Sequence, residues 1–409
     1  MIRDFSVKNY GPFKERVTLS MERSALKDPA DTVIPCDNGI LSSALIFGAN
    51  AAGKSYLVKA LASLQQLLRR PYTDVDTYSG YQPFRLSRAS LESPVEMRIR
   101  MIIDGISFDY SISYLKNTIV SESLHYYPKG RRARVFVRTG PKDYEYGDTE
   151  IINRTGSSSS YVVIASEFDD SVCSKFRNEM LRKVIILYRN TEYLVNRCCD
   201  YIADDPVKKQ FAIQALKTTD LGISDFTYEE DEIPIASLDG IRSHPFDMNQ
   251  HKVITRRIML KHDLQTDDVG DEQTLFPMEI ESSGTKAVFG MIGPLVDALL
   301  SGATIVIDEF GSSLHPLMSR WIIGQFANTP NPHGAQIIAN THDMELMDVT
   351  ELVRRDQIWF VNRNRKTGES DLYSLADFND IRRIKSLSRA YLIGRFDAVP
   401  NIRARDVIE

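Results

Sequence analysis

The chain has 409 residues, of which 43% are hydrophobic and 26% charged, and its net charge is −5. This balance is ordinary for a globular protein of one or two domains and excludes collagen-like, disordered and purely coiled-coil chains. It also argues against a surface that is basic throughout, although a local basic patch is compatible with it. The cysteines, Cys36, Cys173, Cys198 and Cys199, form no Cys-x-x-Cys pair, so we expect reduced thiols in a cytoplasmic protein.

No targeting or membrane segment is expected from the pattern of apolar residues. The N-terminus is charged and alternating and lacks the apolar core of a signal peptide. The most apolar stretch, residues 287–307, is interrupted by Pro294 and Asp297, which a membrane span of about 20 apolar residues would not tolerate. A buried helix followed by a buried strand fits this stretch better.

The first elements in chain order are two short strands, predicted within residues 1–22 around a turn at residues 9–12. A compact apolar run predicts a buried strand over Ser43–Phe47, and helical spacing of leucines predicts an amphipathic helix over Lys54–Arg70. Alternation of apolar and polar residues then predicts antiparallel strands across residues 94–127.

The middle of the chain is less regular. Residues 129–180 contain a basic stretch and the low-complexity run 155–160, which we predict to be a loop. Residues 172–218 are predicted to be mainly helical, and the acidic residues 229–250 to form a loop.

The pattern sharpens from residue 279 onward. The predicted elements are a helix over Thr285–Leu300, a strand over Ala303–Ile307, a helix over Pro316–Ala327, a strand over Gln336–Ala339, strands over Gln357–Val361 and Leu372–Leu375, and a helix over Phe378–Leu392. Strands that alternate with helices indicate a mostly parallel α/β sheet.

The most informative motif reads G-A-N-A-A-G-K-S and matches the phosphate-loop pattern G-x-x-x-x-G-K-[ST] between the predicted strand and helix. Backbone N–H groups of such a loop surround phosphate oxygens, and the helix start adds partial positive charge. The lysine would neutralise the β- and γ-phosphates, and the serine hydroxyl would bind Mg²⁺. The ATP-binding residues predicted from this motif are Gly48, Ala49, Asn50, Ala51, Ala52, Gly53, Lys54 and Ser55.

The second motif is a pair of acids, Asp308 and Glu309, that follows the apolar run T-I-V-I. Ligands bind at the carboxyl edge of a parallel sheet, where these two acids would lie. We predict that Asp308 holds Mg²⁺ and that Glu309 orients or deprotonates the attacking water. An Asp-Glu pair alone is usually a solvated strand end, and its pairing with the phosphate loop favours the functional interpretation.

Three further motifs resemble those of ABC-type ATPases. Ser282, Ser283 and Gly284 resemble the signature motif LSGGQ, which contacts the γ-phosphate of the opposite subunit; the chain departs from it in having Ser283 for the first glycine and Thr285 for the glutamine. The alternative is that the serines simply cap the following helix. Residues 312–316 resemble the D-loop at the dimer seam.

The place of the switch histidine in that class is taken by His342, which follows the apolar strand I-I-A-N-T. We predict that His342 contributes to catalysis together with Glu309 and Lys54. Gln82 is the candidate for the glutamine that joins Ser55 and Asp308 at the metal, and an ordinary loop glutamine is the alternative.

Taken together, these motifs resemble the SMC/RecF-like branch of ABC-class ATPases of the AAA family and, more narrowly, the RloA/AbiL-type ATPases of bacterial phage-resistance operons. The opening FSVKNYGPFKERVTLSM, the segments IVIDEFGSSLHP and IIANTHD, and the tail YLIGRFDAVPNI carry the narrower resemblance. It implies an α/β fold: an ABC-type P-loop ATPase head with an antiparallel β lobe and a mostly helical insertion. We expect the N-terminal part of the head in residues 1–128, the insertion in 129–275 and the C-terminal part in 276–409.

The resemblance implies an ATPase that uses ATP and Mg²⁺, forms a homodimer through composite sites and acts as the sensor or switch of an anti-phage defence system. Because no nuclease motif or Cys/His dyad is recognisable, we expect a separate, co-encoded effector. A DNA repair or recombination ATPase of the RecF/SMC kind is the alternative, and a transporter subunit is poorly supported. A higher oligomer stays open.

Two runs of basic residues could bind the phosphates of a nucleic acid, and an interface with an acidic partner protein is an equal alternative. The first run comprises Lys129, Arg131, Arg132, Arg134, Arg138 and Lys142. The second comprises Arg354, Arg355, Arg363, Arg365, Lys366, Arg382, Arg383, Lys385 and Arg389.

Overall fold

The computed structural model describes residues 1–26, 28, 32–34, 39–73, 76–78, 80–168, 170–188, 191–202, 205–219, 221–234, 252–263, 274–327, 331–379 and 381–400. Cys36, most of the predicted loop 229–250 and the end of the tail lie outside these residues. The chain divides into two compact units. The core unit comprises Met1–Arg189, Ala298–Ser312 and Ser319–Glu409, and the inserted unit comprises Asn190–Asp297 and Ser313–Met318.

A six-stranded sheet forms the centre of the core unit, in the order β11-β15-β16-β5-β17-β18. All neighbours are parallel except the hairpin of β17 and β18. Its strands are β5 (Ser43–Phe47), β11 (Val184–Leu187), β15 (Thr304–Phe310), β16 (Gln336–Thr341), β17 (Ile358–Arg363) and β18 (Ser370–Ser374). The runs S-A-L-I-F and Q-I-I-A-N-T are buried along their whole length, as expected for central parallel strands.

An antiparallel seven-stranded sheet forms the second layer, in the order β10-β9-β8-β7-β6-β1-β2. Its strands are β1 (Ile2–Lys8), β2 (Val17–Ser20), β6 (Val95–Ile103), β7 (Ile106–Tyr114), β8 (Ile119–Tyr126), β9 (Ala133–Arg138) and β10 (Tyr144–Tyr146). Alternation in β6 buries every second residue, from Val95 through Met97 and Ile99 to Ile103. A two-stranded ladder of β3 (Val33–Ile34) and β4 (Ile40–Leu41) belongs to neither of these sheets.

The core unit also contains helices, which belong to the same folded unit as the two sheets. They are α1 (Lys54–Leu67), α2 (Arg88–Glu92), α3 (Thr149–Arg154), α4 (Tyr161–Glu167), α5 (Ser171–Arg182) and α10 (Leu387–Leu392), and α9 (Pro316–Gly324) begins in the inserted unit and ends in the core unit. The stripe of α1 that contains Leu57, Leu61 and Leu64 is buried in the same cluster as Phe5 and Tyr110 of the antiparallel sheet. The predicted α/β fold class is confirmed.

The inserted unit combines helices with a three-stranded antiparallel sheet, in the order β12-β13-β14. Its elements are α6 (Thr191–Ile202), α7 (Pro206–Thr218), β12 (Ile223–Pro234), β13 (Lys252–His262), β14 (Leu275–Pro277) and most of α8 (Ser283–Ser301). Gly290 and Gly293 of α8 lie against α6, and a β-carbon on Gly293 would come within 2.4 Å of the carbonyl of Cys198. Glycine therefore permits the close approach of these two helices.

The boundary of the inserted unit differs from the predicted one. It begins at Asn190 rather than at residue 129, because residues 133–187 supply β9, β10, α3, α4, α5 and β11 to the core unit. The strand β11 lies in the region predicted to be mainly helical and pairs with β15. Residues 229–234, predicted as a loop, belong to β12 instead.

The predicted helix over Phe378–Leu392 is wrong over most of its length. Among the described residues of this range, α-helix covers only Leu387–Leu392, and its first turn is capped by the Ser386 hydroxyl, which accepts from the N–H of Arg389. Phe378 packs edge-on against Phe360, with ring centroids 6.4 Å apart. A 3-10 turn over Ile381–Arg383 stands where the α-helix was predicted.

The run 155–160 is a loop, as predicted, but its interior is buried around Arg138. That side chain is 1% exposed and donates to the carbonyls of Gly156, Ser157 and Ser159 at 2.9–3.1 Å. Its guanidinium also lies 3.8 Å from the buried carboxylate of Glu122. Arg138 is therefore part of the core and cannot belong to a basic surface that tracks phosphates.

Among the described helices, none combines the length and the apolarity that a membrane span needs. The side chains of Cys173, Cys198 and Cys199 are buried.

Candidate functional site

The phosphate loop joins the end of β5 to the start of α1. Its backbone has positive φ angles at Gly48 (151°), Ala51 (61°) and Gly53 (116°), which bend the loop around the start of the helix. A β-carbon on Gly48 would lie 2.3 Å from the carbonyl oxygen of Val361 in β17, so only glycine fits there. The loop geometry therefore depends on the strand that flanks it.

Lys54 is the first residue of α1 and is 8% exposed. Its Nζ donates to the carbonyl oxygens of Gly48 (2.8 Å) and Ala49 (3.1 Å) in the phosphate loop. The ammonium group would have to leave these two oxygens to reach a bound phosphate. Burial lowers the pKa of Lys54 from 10.5 to about 8, against the opposing effect of the Glu309 and Asp308 carboxylates. The negative charge of a bound polyphosphate would stabilise the protonated form of Lys54, which burial disfavours.

The acids at the end of β15 are both held by one residue, Asn340 of β16. Its Oδ1 accepts from the backbone N–H of Glu309 at 2.7 Å, and its Nδ2 donates to the carboxylate of Asp308. Glu309 has a φ of 58°, an unusual conformation for a side-chain-bearing residue, which the Asn340 bond supports. Asn340 is 1% exposed, and its only sequence signal is a polar residue within a buried strand.

His342 follows β16 and lines the same cleft as Lys54 and Glu309. Partial desolvation lowers the pKa of His342 below its usual value of 6.5, and the nearby Lys54 charge acts in the same direction. The imidazole is therefore neutral at pH 7 and can accept or donate one hydrogen bond.

These groups share a cleft of about 930 Å³ in the core unit. One part is lined by Asn50, Ala51, Gly53, Lys54 and Ser55 of the loop and by Glu309, Ser312, Asn340 and His342. The remaining walls include Pro12, Tyr56, Gln82, Leu86, Arg363 and Gly368. The sheet thus brings together the phosphate loop, the acid predicted to activate water and the histidine predicted to be the switch, which are far apart in sequence.

The donor set suits Mg²⁺ held jointly with a nucleotide. Ser55 offers a hydroxyl and Asp308 a carboxylate, and Mg²⁺ usually binds through one or two carboxylates together with substrate phosphates. Among the described residues no group of three or more His, Cys, Asp or Glu side chains is arranged to hold a metal without such a ligand. Ser55 and Asp308 are the residues that would hold the ion.

Gln82, the candidate for the metal-site glutamine, lies in the segment between α1 and α2. It lines the cleft, and its carbonyl accepts from the N–H of Gly11 at 2.7 Å. It does not follow a strand of the parallel sheet. In the sheet, β15 lies between β11 and β16. On the β11 side, Leu187 pairs with Ile307, and the residue that follows β11 is Tyr188.

Tyr188 is a residue near the acids that the sequence did not single out. Partial desolvation and the Asp308 carboxylate raise the pKa of Tyr188 to about 12, so its hydroxyl stays protonated. The parallel register that places it beside β15 is a long-range feature, and the only local signal is an aromatic residue at the end of a short apolar run.

The signature-like residues lie in the inserted unit at the start of α8. The Ser282 hydroxyl accepts from the N–H of Thr285 at 3.0 Å, so it caps the helix. Ser283 begins the helix, and a β-carbon on Gly284 would lie 3.4 Å from the carbonyl of Ser313. The capping role is thus realised in the single chain, and a trans role for the three residues stays a prediction.

The fold and this cleft are typical of P-loop nucleotide-binding proteins. Residues 43–348 match the sequence family described as "AAA domain, putative AbiEii toxin, Type IV TA system". The chain belongs to this family. No curated protein matches the chain. The narrower RloA/AbiL assignment stays a prediction.

Solved structures of SMC heads are similar to the chain at low identity. The SMC head bound to the C-terminal winged-helix domain of ScpA is 12% identical, with a TM-score of 0.45 over 95% of this chain and 99% of that one. The SMC head domain from Thermotoga maritima is 12% identical, with a TM-score of 0.40 over 91% and 98%. The Pyrococcus furiosus SMC head with an extended coiled coil, bound to the C-terminal domain of ScpA, is 13% identical, with a TM-score of 0.40 over 96% and 98%.

Proposed function

We propose that the chain binds Mg–ATP in this cleft and hydrolyses it. The observation that carries the proposal is the convergence of Lys54, Glu309 and His342 on one cleft beside a complete phosphate loop. The loop amides and Lys54 would hold the phosphates, and Glu309 would orient and deprotonate a water for attack on the γ-phosphorus. Neutral His342 would hydrogen-bond the γ-phosphate, and Asn340 would hold both acids in place.

The direct test compares Glu309→Gln with Lys54→Ala. Glu309→Gln keeps the shape of the side chain and loses the basic carboxylate, so it should bind ATP and turn it over at least about tenfold more slowly. Lys54→Ala should lose ATP binding or turnover by at least about tenfold. Near-normal turnover by purified Lys54→Ala protein would refute the assignment of the site.

We further propose that ATP joins two copies of the chain through composite sites. Glu309→Gln protein should then show more dimer or larger assembly with ATP and Mg²⁺ than Lys54→Ala protein does by size-exclusion chromatography. Gly284→Asp should spare ATP binding to the subunit's own loop while dimerisation and hydrolysis both fall. Loss of binding with dimerisation retained would show that Gly284 is not a ligand in trans.

In the cell, we propose that this ATPase acts as the sensor or switch of an anti-phage system and controls a separate effector. The family description names a toxin of a type IV toxin–antitoxin system, which supports a setting in bacterial conflict. Plaque assays should show protection only when the gene is paired with its co-encoded effector, and none with the Lys54→Ala pair. Protection by this gene alone would refute the sensor–effector proposal. Sensitivity to DNA damage on deletion, without any effect on phage, would favour the repair alternative.

A further inference from the structure

The nucleotide cleft has a second end, formed by the hairpin of β17 and β18. In the sheet order β11-β15-β16-β5-β17-β18, the strand β5 that leads into the phosphate loop has β16 on one side and β17 on the other. Glu309 lies near the end of β15 and His342 follows β16, whereas Arg363 ends β17. The groups expected at the γ-phosphate and Arg363 therefore lie on opposite flanks of the loop.

The hairpin is tied directly to the phosphate loop. The Ser370 hydroxyl donates to the carbonyl of Ala52 at 2.6 Å, and the N–H of Ser370 donates to the carbonyl of Pro12 at 2.8 Å. A nucleoside triphosphate that lies along the loop with its γ-phosphate toward Glu309 must extend its nucleoside toward this hairpin. The hairpin is thus the wall that a base would meet.

At that wall, Arg363 and Leu86 form a small platform. The Nε of Arg363 donates to the carbonyl of Gly368 at 3.1 Å, which restricts the guanidinium. Leu86 packs on the same glycine, where a β-carbon would come within 2.2 Å of its Cδ1. Both side chains line the cleft and both are exposed, Leu86 at 64%. The contact of Leu86 with Gly368 leaves most of the leucine surface open to a ligand.

A planar, delocalised guanidinium beside an apolar side chain is suited to the face of a base, because arginine stacks on aromatic rings and leucine excludes water from the contact. Two aromatic residues line the cleft: Phe84, which is only 2% exposed, and Tyr56, which is already engaged. A β-carbon on Gly11 would lie 2.1 Å from its Cδ1, and the Nζ of Lys59 lies 4.9 Å from its centroid.

We propose that Arg363 and Leu86 bind the base of the nucleotide and make the site select nucleoside triphosphates over polyphosphate alone. This inference rests on the proposed binding of ATP in the cleft. Both residues would determine the affinity for ATP and would take no part in the chemistry at the γ-phosphate. The effect of changing them should fall on KM and leave kcat nearly unchanged, because the base is bound equally in the ground and transition states.

The experiment measures the affinities of ATP and of inorganic tripolyphosphate, with Mg²⁺, for the full chain by calorimetry. Arg363→Ala and Leu86→Ala should each weaken ATP binding by about tenfold, as the loss of base stacking does elsewhere. Tripolyphosphate has no base, so its affinity should not change. Arg363→Lys should not restore ATP affinity, because an ammonium group has no planar face. Arg131→Ala is the matched control, since Arg131 is an exposed arginine that does not line the cleft.

Each result has a distinct meaning. Equal losses for ATP and tripolyphosphate in Arg363→Ala would show that Arg363 binds phosphate and would overturn the platform. Unchanged ATP affinity in both alanine variants, or a loss of ATP affinity in Tyr56→Ala alone, would overturn it as well. Wild-type protein that binds neither probe would overturn the proposed function and this inference together.

Discussion

The buried ammonium group of Lys54 should destabilise the nucleotide-free protein, and Lys54→Met should relieve that cost. The side chain is 8% exposed, and burial lowers its pKa from 10.5 to about 8. One unit of pKa corresponds to about 1.4 kcal/mol, so holding the charge in the folded protein costs about 3 kcal/mol. The methionine has a similar length and carries no charge.

The cost depends on pH with a defined sign. Because the pKa is lowered on folding, the unfolded chain binds the proton more tightly, and unfolding becomes more favourable as the pH falls from about 10.5 to about 8. Below about 8 the full cost is present, and above about 10.5 it vanishes. The difference in the free energy of unfolding between Lys54→Met and wild type should therefore shrink by about 3 kcal/mol between pH 7 and pH 10.5.

Urea unfolding of both proteins without nucleotide, at several pH values, measures this difference. The methionine variant also loses the bonds from Lys54 to Gly48 and Ala49, which shifts the difference by a constant of about 1–2 kcal/mol but leaves its pH dependence intact. Lys116→Met, at an exposed lysine, is the control and should show no such pH dependence. A difference for Lys54→Met that stays constant from pH 7 to pH 10.5 would refute the reasoning.

Further outcomes can be measured in the same protein. The NMR titration of His342 should have its midpoint below 6.5, and Lys54→Met should move that midpoint upward because it removes a nearby positive charge. Asn340→Ala should slow Mg²⁺-dependent ATP turnover by about 10–100-fold in a folded protein, since both acids of β15 lose their support; unaltered turnover would contradict the role given to Asn340. Arg138→Met should lower the free energy of unfolding by about 3–5 kcal/mol, because it leaves a buried carboxylate without its cation, and ATP affinity in the folded fraction should be unchanged.

The phosphate loop and its flanking elements could be predicted from the sequence because their determinants are local. A fully buried strand, glycines at positions with positive φ and an amphipathic helix stand next to one another in residues 43–67. The acids at the end of β15 and the histidine after β16 could be predicted by the same rule, since ligands bind at the carboxyl edge of a parallel sheet. In each case a short segment contains both the structural signal and the chemical group.

Other features were decided by pairing between distant segments, which no local pattern contains. The register of β11 with β15 places Tyr188 near the acids, and the pairing of β16 with β15 turns a buried asparagine, Asn340, into the support of both. Arg138 looks like a surface cation in sequence, yet it is buried, because carbonyls of the loop 155–160 accept hydrogen bonds from it and the Glu122 carboxylate, 3.8 Å away, offsets its charge. The periodicity of apolar residues indicates which side of each segment is buried and which is exposed to solvent. Strand order and the partners of buried polar groups depend instead on contacts between residues far apart in the chain.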